Sequence, residues 1–458
     1  MDALFLSRLQ FGLNISFHYL FPPLSIGLGL MLVIMEGAYL CTKNPVYERI
    51  THFWVKIFAL IFAMGVGTGL VQIFGFGTNW AAFSRFVGDV FGSILGAEGI
   101  FAFFLESGFL GLLLFGWHRV GPKTHFFSTV MVALGAHFSA LWIVIANSWM
   151  QTPAGHAIVG EGAARHAVIE NFWQVLNNPS SVNRLCHVIL AAWLTGAFLV
   201  LSVSAYYLLK KRHLDFATRC FKIAMVVAVI GVLLQGVSGD STGREVARNQ
   251  PIKLAAFEGV YETTTPTGMY VGGYVNAKEK KVYGLPLPGL LSFLVYHNFR
   301  EPVAGLDQFP PELWPNVKIV FQTYHGMIFM WGLMFLGVIF GLVAWSRKKI
   351  MDSKWTLRFL VIAVLFPEIA NQLGWDSAEM GRQPWAVHGL LLTKEGVSPN
   401  IQPGQVIFSL VLFSLIYLLI FIMFIYLLDR KIKQGPDVGE AEEYQHQAYN
   451  VSTLNERP

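Results

Sequence analysis

The sequence predicts an all-α polytopic membrane protein of about nine transmembrane helices in bundles, N-terminus outside and C-terminus cytoplasmic. Three observations predict it. The 458-residue chain is 54% hydrophobic but only 13% charged, where a soluble domain carries about 25% charged residues. Apolar runs recur along its length, and about 20 such residues cross a bilayer. Lys and Arg gather in alternate connections, as cytoplasmic loops require.

The apolar runs lie at about 12–38, 52–76, 92–116, 126–147, 185–209, 217–239, 318–345, 357–375 and 405–428. Residues 1–239 therefore carry helices 1–6 and 318–433 carry helices 7–9. Two connections are long, roughly 148–184 and 240–317. The second is rich in Gly, Pro and Lys, has little apolar periodicity and falls on the extracytoplasmic side. The polar tail, 434–458, reads as disordered and cytoplasmic. Connections after helices 1, 3, 5 and 7, with the tail, hold sixteen Lys and Arg, including Lys210, Lys211, Arg212, Arg347, Lys348 and Lys349. The short segments on the other side hold six: Arg8, Arg85, Arg165, Arg184, Arg382 and Lys394.

The net charge of +5 comes from these short loops and not from one patch, so no nucleic-acid partner is implied. Cys41, Cys186 and Cys220 form neither a CxxC nor a CxxCH pattern. No disulfide is implied, and any haem would be held non-covalently. The opening MDALFLSRLQF leads straight into a span, without the charged n-region of a cleavable signal.

Ionisable residues inside a span are costly and are functional candidates by default. With the orientation above, His18, Glu98, His187, His325, Met327 and Glu379 all lie toward the outer ends of their helices. Imidazole and thioether are established axial ligands of haem iron, whereas a carboxylate ligand is rarer. The plainer alternative is that such groups pair with one another or with backbone carbonyls, the commoner fate of a single membrane histidine. His137 is read that way. His52, His118, His125 and His213 read as interfacial, at basic cytoplasmic ends. Glu106 lies eight residues beyond Glu98, or about 12 Å deeper. Two carboxyls in an otherwise apolar helix suit a proton relay, since burial favours the neutral form; two protonated structural acids are the alternative. Ser107 and Ser139 offer intermediate hydroxyls.

At these residues the sequence resembles subunit I of the cytochrome bd quinol oxidases, over nearly the whole chain. The segments that carry the resemblance are SRLQFGLNISFHYLF, FGTNW, AEGIFAFFLES, SALWIVIANSWMQTP, GDSTGREVARNQPIKLAAFE and AEMGRQPW, in the family's order. The resemblance implies a haem-bearing subunit of a terminal oxidase that oxidises quinol at the outer face of a bacterial cytoplasmic (inner) membrane. It implies reduction of O2 to water, with protons taken from the cytoplasm. It implies two b-type haems and one haem d, or a third haem b, and a second large subunit in a heterodimer. Small accessory subunits, the native quinone and the O2-reactive position stay open.

Carried over by motif, His18 and Glu379 would each ligate a high-spin haem, and His187 and Met327 the low-spin haem. Glu98 would stand at the oxygen site, with Glu106 on the proton relay. Arg382 would bind a haem propionate, where a guanidinium makes two hydrogen bonds to a carboxylate. The 240–317 connection would be the quinol loop in its short form, with Lys253 and Glu258 at the quinol; without the resemblance they read as a salt-bridged surface pair. One position departs from the family pattern: His325 stands in TYHGMIF where the family usually has Arg. Residues two apart on a helix point about 200° from each other, so His325 and Met327 are alternative ligands.

Two other readings compete. A related membrane cytochrome b would pass quinol electrons to another acceptor, but has no need of His18, Glu98, Glu106 and Glu379 together. A cofactor-free, ion-coupled transporter would use the same acids and histidines for ions, but no inverted repeat is visible. A haem-copper oxidase is disfavoured by the lack of a histidine cluster for copper.

Overall fold

A computed structural model describes residues 2–436; most of the polar tail expected at 434–458 lies outside the described residues. Among them, nine helical stretches are long and apolar enough to cross a membrane. They are span 1 (Ala3–Thr42), span 2 (Pro45–Thr78), span 3 (Gly88–Phe115), span 4 (Pro122–Gln151), span 5 (Ser181–Leu209), span 6 (Leu214–Asn249), span 7 (Val317–Ser346), span 8 (Lys354–Met380) and span 9 (Pro403–Gln434). Tight turns join alternate spans at one end of the bundle, and every long connection emerges at the other, here the loop end.

Several spans depart from plain helix, each for a local reason. Span 1 is two helices, Ala3–His18 and Phe21–Thr42. The break precedes Pro22 and Pro23, and proline supplies no N–H to continue a helical ladder. Span 6 runs ten residues past its expected end at 239. Its last turns, GDSTGREVARN, are polar, so an apolar count stops where the helix does not. An Asp240–Arg244 pair at 2.5 Å and a 2.7 Å hydrogen bond from Asn249 to Glu245 support them. Span 8 breaks near Ala363. Span 3 holds a π-turn, Gly99–Phe103, between two α-helical parts.

The main core lies among spans 1, 2, 5, 6, 7 and 8, around Trp54, Phe58, Phe198 and Phe221. Gly27 and Gly196 bring spans 1 and 5 into backbone contact; a Cβ on Gly27 would stand 2.0 Å from the Ala192 carbonyl oxygen. Small residues allow such approach between membrane helices. Span 9 and the outer side of span 3 leave Phe101, Phe104, Phe408 and Leu419 exposed.

The connection between spans 6 and 7 is structured. A helix, Pro251–Glu258, precedes an antiparallel hairpin, Met269–Asn276 with Lys281–Leu287, and a short helix, Leu290–Tyr296. Val275 and Val282 of the hairpin pack with Leu254, Phe257 and Phe321 in a second core. The weak apolar periodicity expected across this connection reflects its short elements.

Candidate functional site

The candidate residues are held by helix packing toward the loop end. His18 closes the first helix of span 1. Its Nδ1 meets the Thr68 hydroxyl at 2.9 Å, and the ring lies on Gly69, where a Cβ would stand 3.2 Å away. Gly69 is nine residues from the end of span 2, or about 14 Å. His187 of span 5 faces span 6, near Gln235 Nε2 at 3.1 Å, the Ser238 hydroxyl at 3.2 Å and Gly239. Met327 of span 7 faces span 8, with its sulfur 2.9 Å from where a Cβ on Gly374 would be.

His325 points elsewhere. Its Nε2 is 2.9 Å from the Tyr270 carbonyl of the hairpin, and its Nδ1 is 3.0 Å from the Phe321 carbonyl of its own helix. Span 7 is unbroken α-helix here, so the two candidates look in opposite directions, as residues two apart must. His137 also has both nitrogens partnered: Nδ1 with the Ala133 carbonyl at 2.7 Å, and Nε2 accepting from the Trp193 indole at 2.9 Å.

Glu379, at the end of span 8, is the centre of a buried polar cluster. Its carboxylate accepts from Asn147 at 3.0 Å, from Gln151 at 3.3 Å and from Arg382. Arg184 donates to Asn147 from behind. Lys253 joins this cluster, its ammonium 2.8 Å from Gln151 Oε1 and 3.2 Å from Gln250 Oε1. Burial, together with the nearby Arg184 charge, holds the Lys253 pKa well below the usual lysine range, against the pull of Glu379. Arg382 keeps a buried Nη1 with no partner.

Glu258 lies apart from that cluster. Lys253 and Glu258 are five residues apart on one helix, hence about 140° around it. Both are buried, at 3% and 2% exposure, which removes the surface-pair alternative. Glu258 bonds the Tyr324 hydroxyl, and burial pushes its pKa up to about 7 against that bond. Its Oε2 has no partner. Phe257 stacks on Tyr324 with ring centres 4.6 Å apart.

The two acids of span 3 both meet span 4. Ser139 donates to Glu98 at 2.6 Å. Glu106, only 7% exposed, lies against Gly135, where a Cβ would stand 2.8 Å from its own Cβ. Positions eight apart on an uninterrupted α-helix differ by about 80° in direction. A π-turn absorbs about one extra residue, leaving seven steps and about 20°. Gly99–Phe103 thus turns both acids onto one face, opposite Gly135 and Ser139, themselves one turn apart. Ser107, in the α-helical part that follows, donates to the Phe103 carbonyl at the end of this turn at 2.5 Å.

At the opposite end one expectation is corrected. His125, read as interfacial, is 2% exposed. Its Nδ1 is 2.6 Å from Glu36, which also accepts from Thr129 at 2.5 Å. Glu36 was hidden in an apolar run, and its partner lies 89 residues away. Asn147, Gln151, Arg184 and Tyr324 were also missed as site residues. The i, i+4 spacing of Asn147 and Gln151 in IANSWMQTP was the available signal, because it puts two amides on one face of an apolar helix.

The residues present fit haem as a cofactor. Imidazole, thioether and carboxylate groups stand at one end of the bundle. Gly69 and Gly374 lie opposite two of them, where a Cβ would crowd the ligand. The orphaned Arg382 Nη1 suits a propionate. Residue types that can ligate haem, gathered with two acids on one helix face in a nine-span bundle, fit the class of membrane-embedded redox proteins.

Comparison with known proteins narrows the class. The description "Cytochrome bd terminal oxidase subunit I" matches residues 6–436. The chain is 39% identical to cytochrome bd ubiquinol oxidase subunit 1 of Bacillus subtilis, covering 99% of this chain and 97% of that protein. It is 33% identical to cytochrome bd-II ubiquinol oxidase subunit 1 of Escherichia coli, covering 96% and 98%. The bd oxidase structure from Geobacillus thermodenitrificans superposes with a TM-score of 0.87 at 28% identity, over 95% of this chain and 99% of that one. The chain belongs to the cytochrome bd terminal oxidase subunit I family.

Proposed function

We propose that this chain is the haem-bearing subunit of a bacterial inner-membrane quinol oxidase, paired with a subunit II. Quinol is oxidised at the loop end, taken as the outer face, and O2 is reduced to water with protons from the cytoplasm. The observation that carries this reading is the pair Glu98 and Glu106 aligned on the face of span 3 that meets Ser139 and Gly135 of span 4. An electron carrier without oxygen chemistry has no use for that alignment. The exposed phenylalanines of span 3 and the apolar surface of span 9 suit contact with lipid or subunit II.

His18 and Glu379 are the proposed ligands of two high-spin haems, and His187 and Met327 those of a low-spin b haem. The third haem is of d or b type. When bound, haem supplies the redox centres for electron transfer and oxygen reduction. Met327 is preferred to His325 because both His325 nitrogens face carbonyl oxygens of the hairpin and of its own helix, on the side of span 7 away from Met327. Arg382, with Arg184 and Lys253 behind it, supplies positive charge for propionates. Lys253 is therefore assigned to the junction between the quinol loop and the Glu379 cluster.

Glu258 is the proposed base for quinol. Its free Oε2 can accept a proton from a ring hydroxyl, while the Tyr324 hydroxyl holds the other side of the carboxylate. The base must be ionised to act. Because the Glu258 pKa is pushed up to about 7, quinol oxidation should rise with pH through that value and level off above it. Glu258→Gln should lower quinol turnover about 100-fold and flatten the pH limb. Oxygen consumption with an artificial donor that bypasses the loop should persist. Equal loss with both donors would give Glu258 a structural role.

A further inference from the structure

The outer third of span 7 supports the loop between spans 6 and 7 on two sides. Tyr324 meets the Pro251–Glu258 helix through Phe257 and Glu258. One turn around, a stripe of three residues faces the hairpin. The Lys318 ammonium lies 4.9 Å above the Tyr274 ring. Gln322 Nε2 donates to the Gly273 carbonyl at 2.7 Å. His325 Nε2 meets the Tyr270 carbonyl at 2.9 Å. Positions 318, 322 and 325 share one face of an α-helix, and Met327 falls on the opposite one.

The hairpin held by this stripe is also a wall of the Glu258 region. Val282 on its second strand would be 2.5 Å from a Cβ on Gly259, next to Glu258, and Val275 is fully buried in the same core. Gly259 sits at φ +66°, so the chain turns sharply there beneath the hairpin. Among the described residues, Gln322 and His325 supply the side-chain hydrogen bonds from span 7 to the first strand, and Val271 and Tyr274 on it are more than half exposed. The Gln322 and His325 side chains therefore fix to span 7 a strand of which Val275 alone is fully buried in the core.

We propose that His325 is a positioning residue for quinol oxidation: it pins the Met269–Asn276 strand to span 7 and keeps the hairpin closed over Glu258. This rests on the assignment of Glu258 to the quinol site. The carbonyl of Tyr270 only accepts, so the pin needs a donor at position 325 and not an imidazole as such. Glutamine places an amide N–H where Nε2 stands and keeps the bond; leucine removes it. A haem ligand has the opposite requirement, since glutamine does not replace an imidazole on iron.

The test uses the purified complex with His325→Leu and His325→Gln. Deuterium exchange of the hairpin peptides, the KM for quinol and the low-spin haem band are read in each. Loss of one hydrogen bond of ordinary net strength corresponds to about a tenfold change. His325→Leu should speed exchange in 269–287 and raise the quinol KM by about that factor, with kcat for an artificial donor and the low-spin band unchanged. His325→Gln should restore both. Exchange in the hairpin reads the pin whether or not quinol binds there. Faster exchange with an unaltered KM would keep the pin but remove its link to quinol, and would count against the Glu258 site. Unaltered exchange in His325→Leu would overturn the pin, as would loss of the low-spin band in both variants.

Discussion

Met327→Leu removes the low-spin haem band and leaves the high-spin bands in place. Leucine keeps roughly the volume of methionine, so the contact with Gly374 across spans 7 and 8 survives while the ligand atom is lost. His187 stays on its own support from Gln235 and Ser238. Removal even of outer partners of a metal ligand costs about 10–100-fold, so loss of a ligand should lower quinol-driven turnover at least as much. The check is a reduced-minus-oxidised spectrum of the variant complex. A silent Met327→Leu variant would return the ligand role to His325 and contradict the proposed pin at the same time.

Glu106→Leu slows re-oxidation of the reduced enzyme by O2, by about 100-fold, while quinol still reduces the low-spin haem at close to the normal rate. Oxygen reduction consumes protons, and in the proposed orientation they come from the tight-turn end. Glu106 is eight residues nearer that end than Glu98, or about seven helical steps once the π-turn is counted. An isolated ionised carboxylate in an apolar span is strongly disfavoured, so in the proposed relay each acid would pass a proton by exchange from its neutral form, with Ser139 bonded to Glu98 at the upper step. Flow-flash oxidation with a pH dye measures both the rate and proton uptake. Wild-type rate and uptake in Glu106→Leu would make Glu106 a structural acid.

The spans were legible in the sequence because lipid demands apolar length and satisfied backbone, a constraint that composition reports directly. The same reasoning failed at their ends. The last turns of span 6 are polar and helical, and the break after His18 is signalled only by the prolines that follow it. Of the candidate site, the sequence singles out individual residues but not the groupings into which the fold brings them. Lys253 and Glu258 stand five apart in one short motif, yet the helix sends them to different clusters. Glu98 and Glu106 were legible as a pair, but their shared face depends on a π-turn that no residue type in GIFAF announces. Glu36 and His125 are joined by tertiary packing across spans 1 and 4, so neither sequence neighbourhood reveals the other.

The most direct measurement is the visible spectrum of the purified complex, reduced anaerobically with quinol and then mixed with O2. Haem bands should rise on quinol addition and collapse on oxygen, with O2 consumed to water. Bands that rise with quinol and persist in O2 would contradict a terminal oxidase, and would favour a membrane cytochrome b that serves another acceptor.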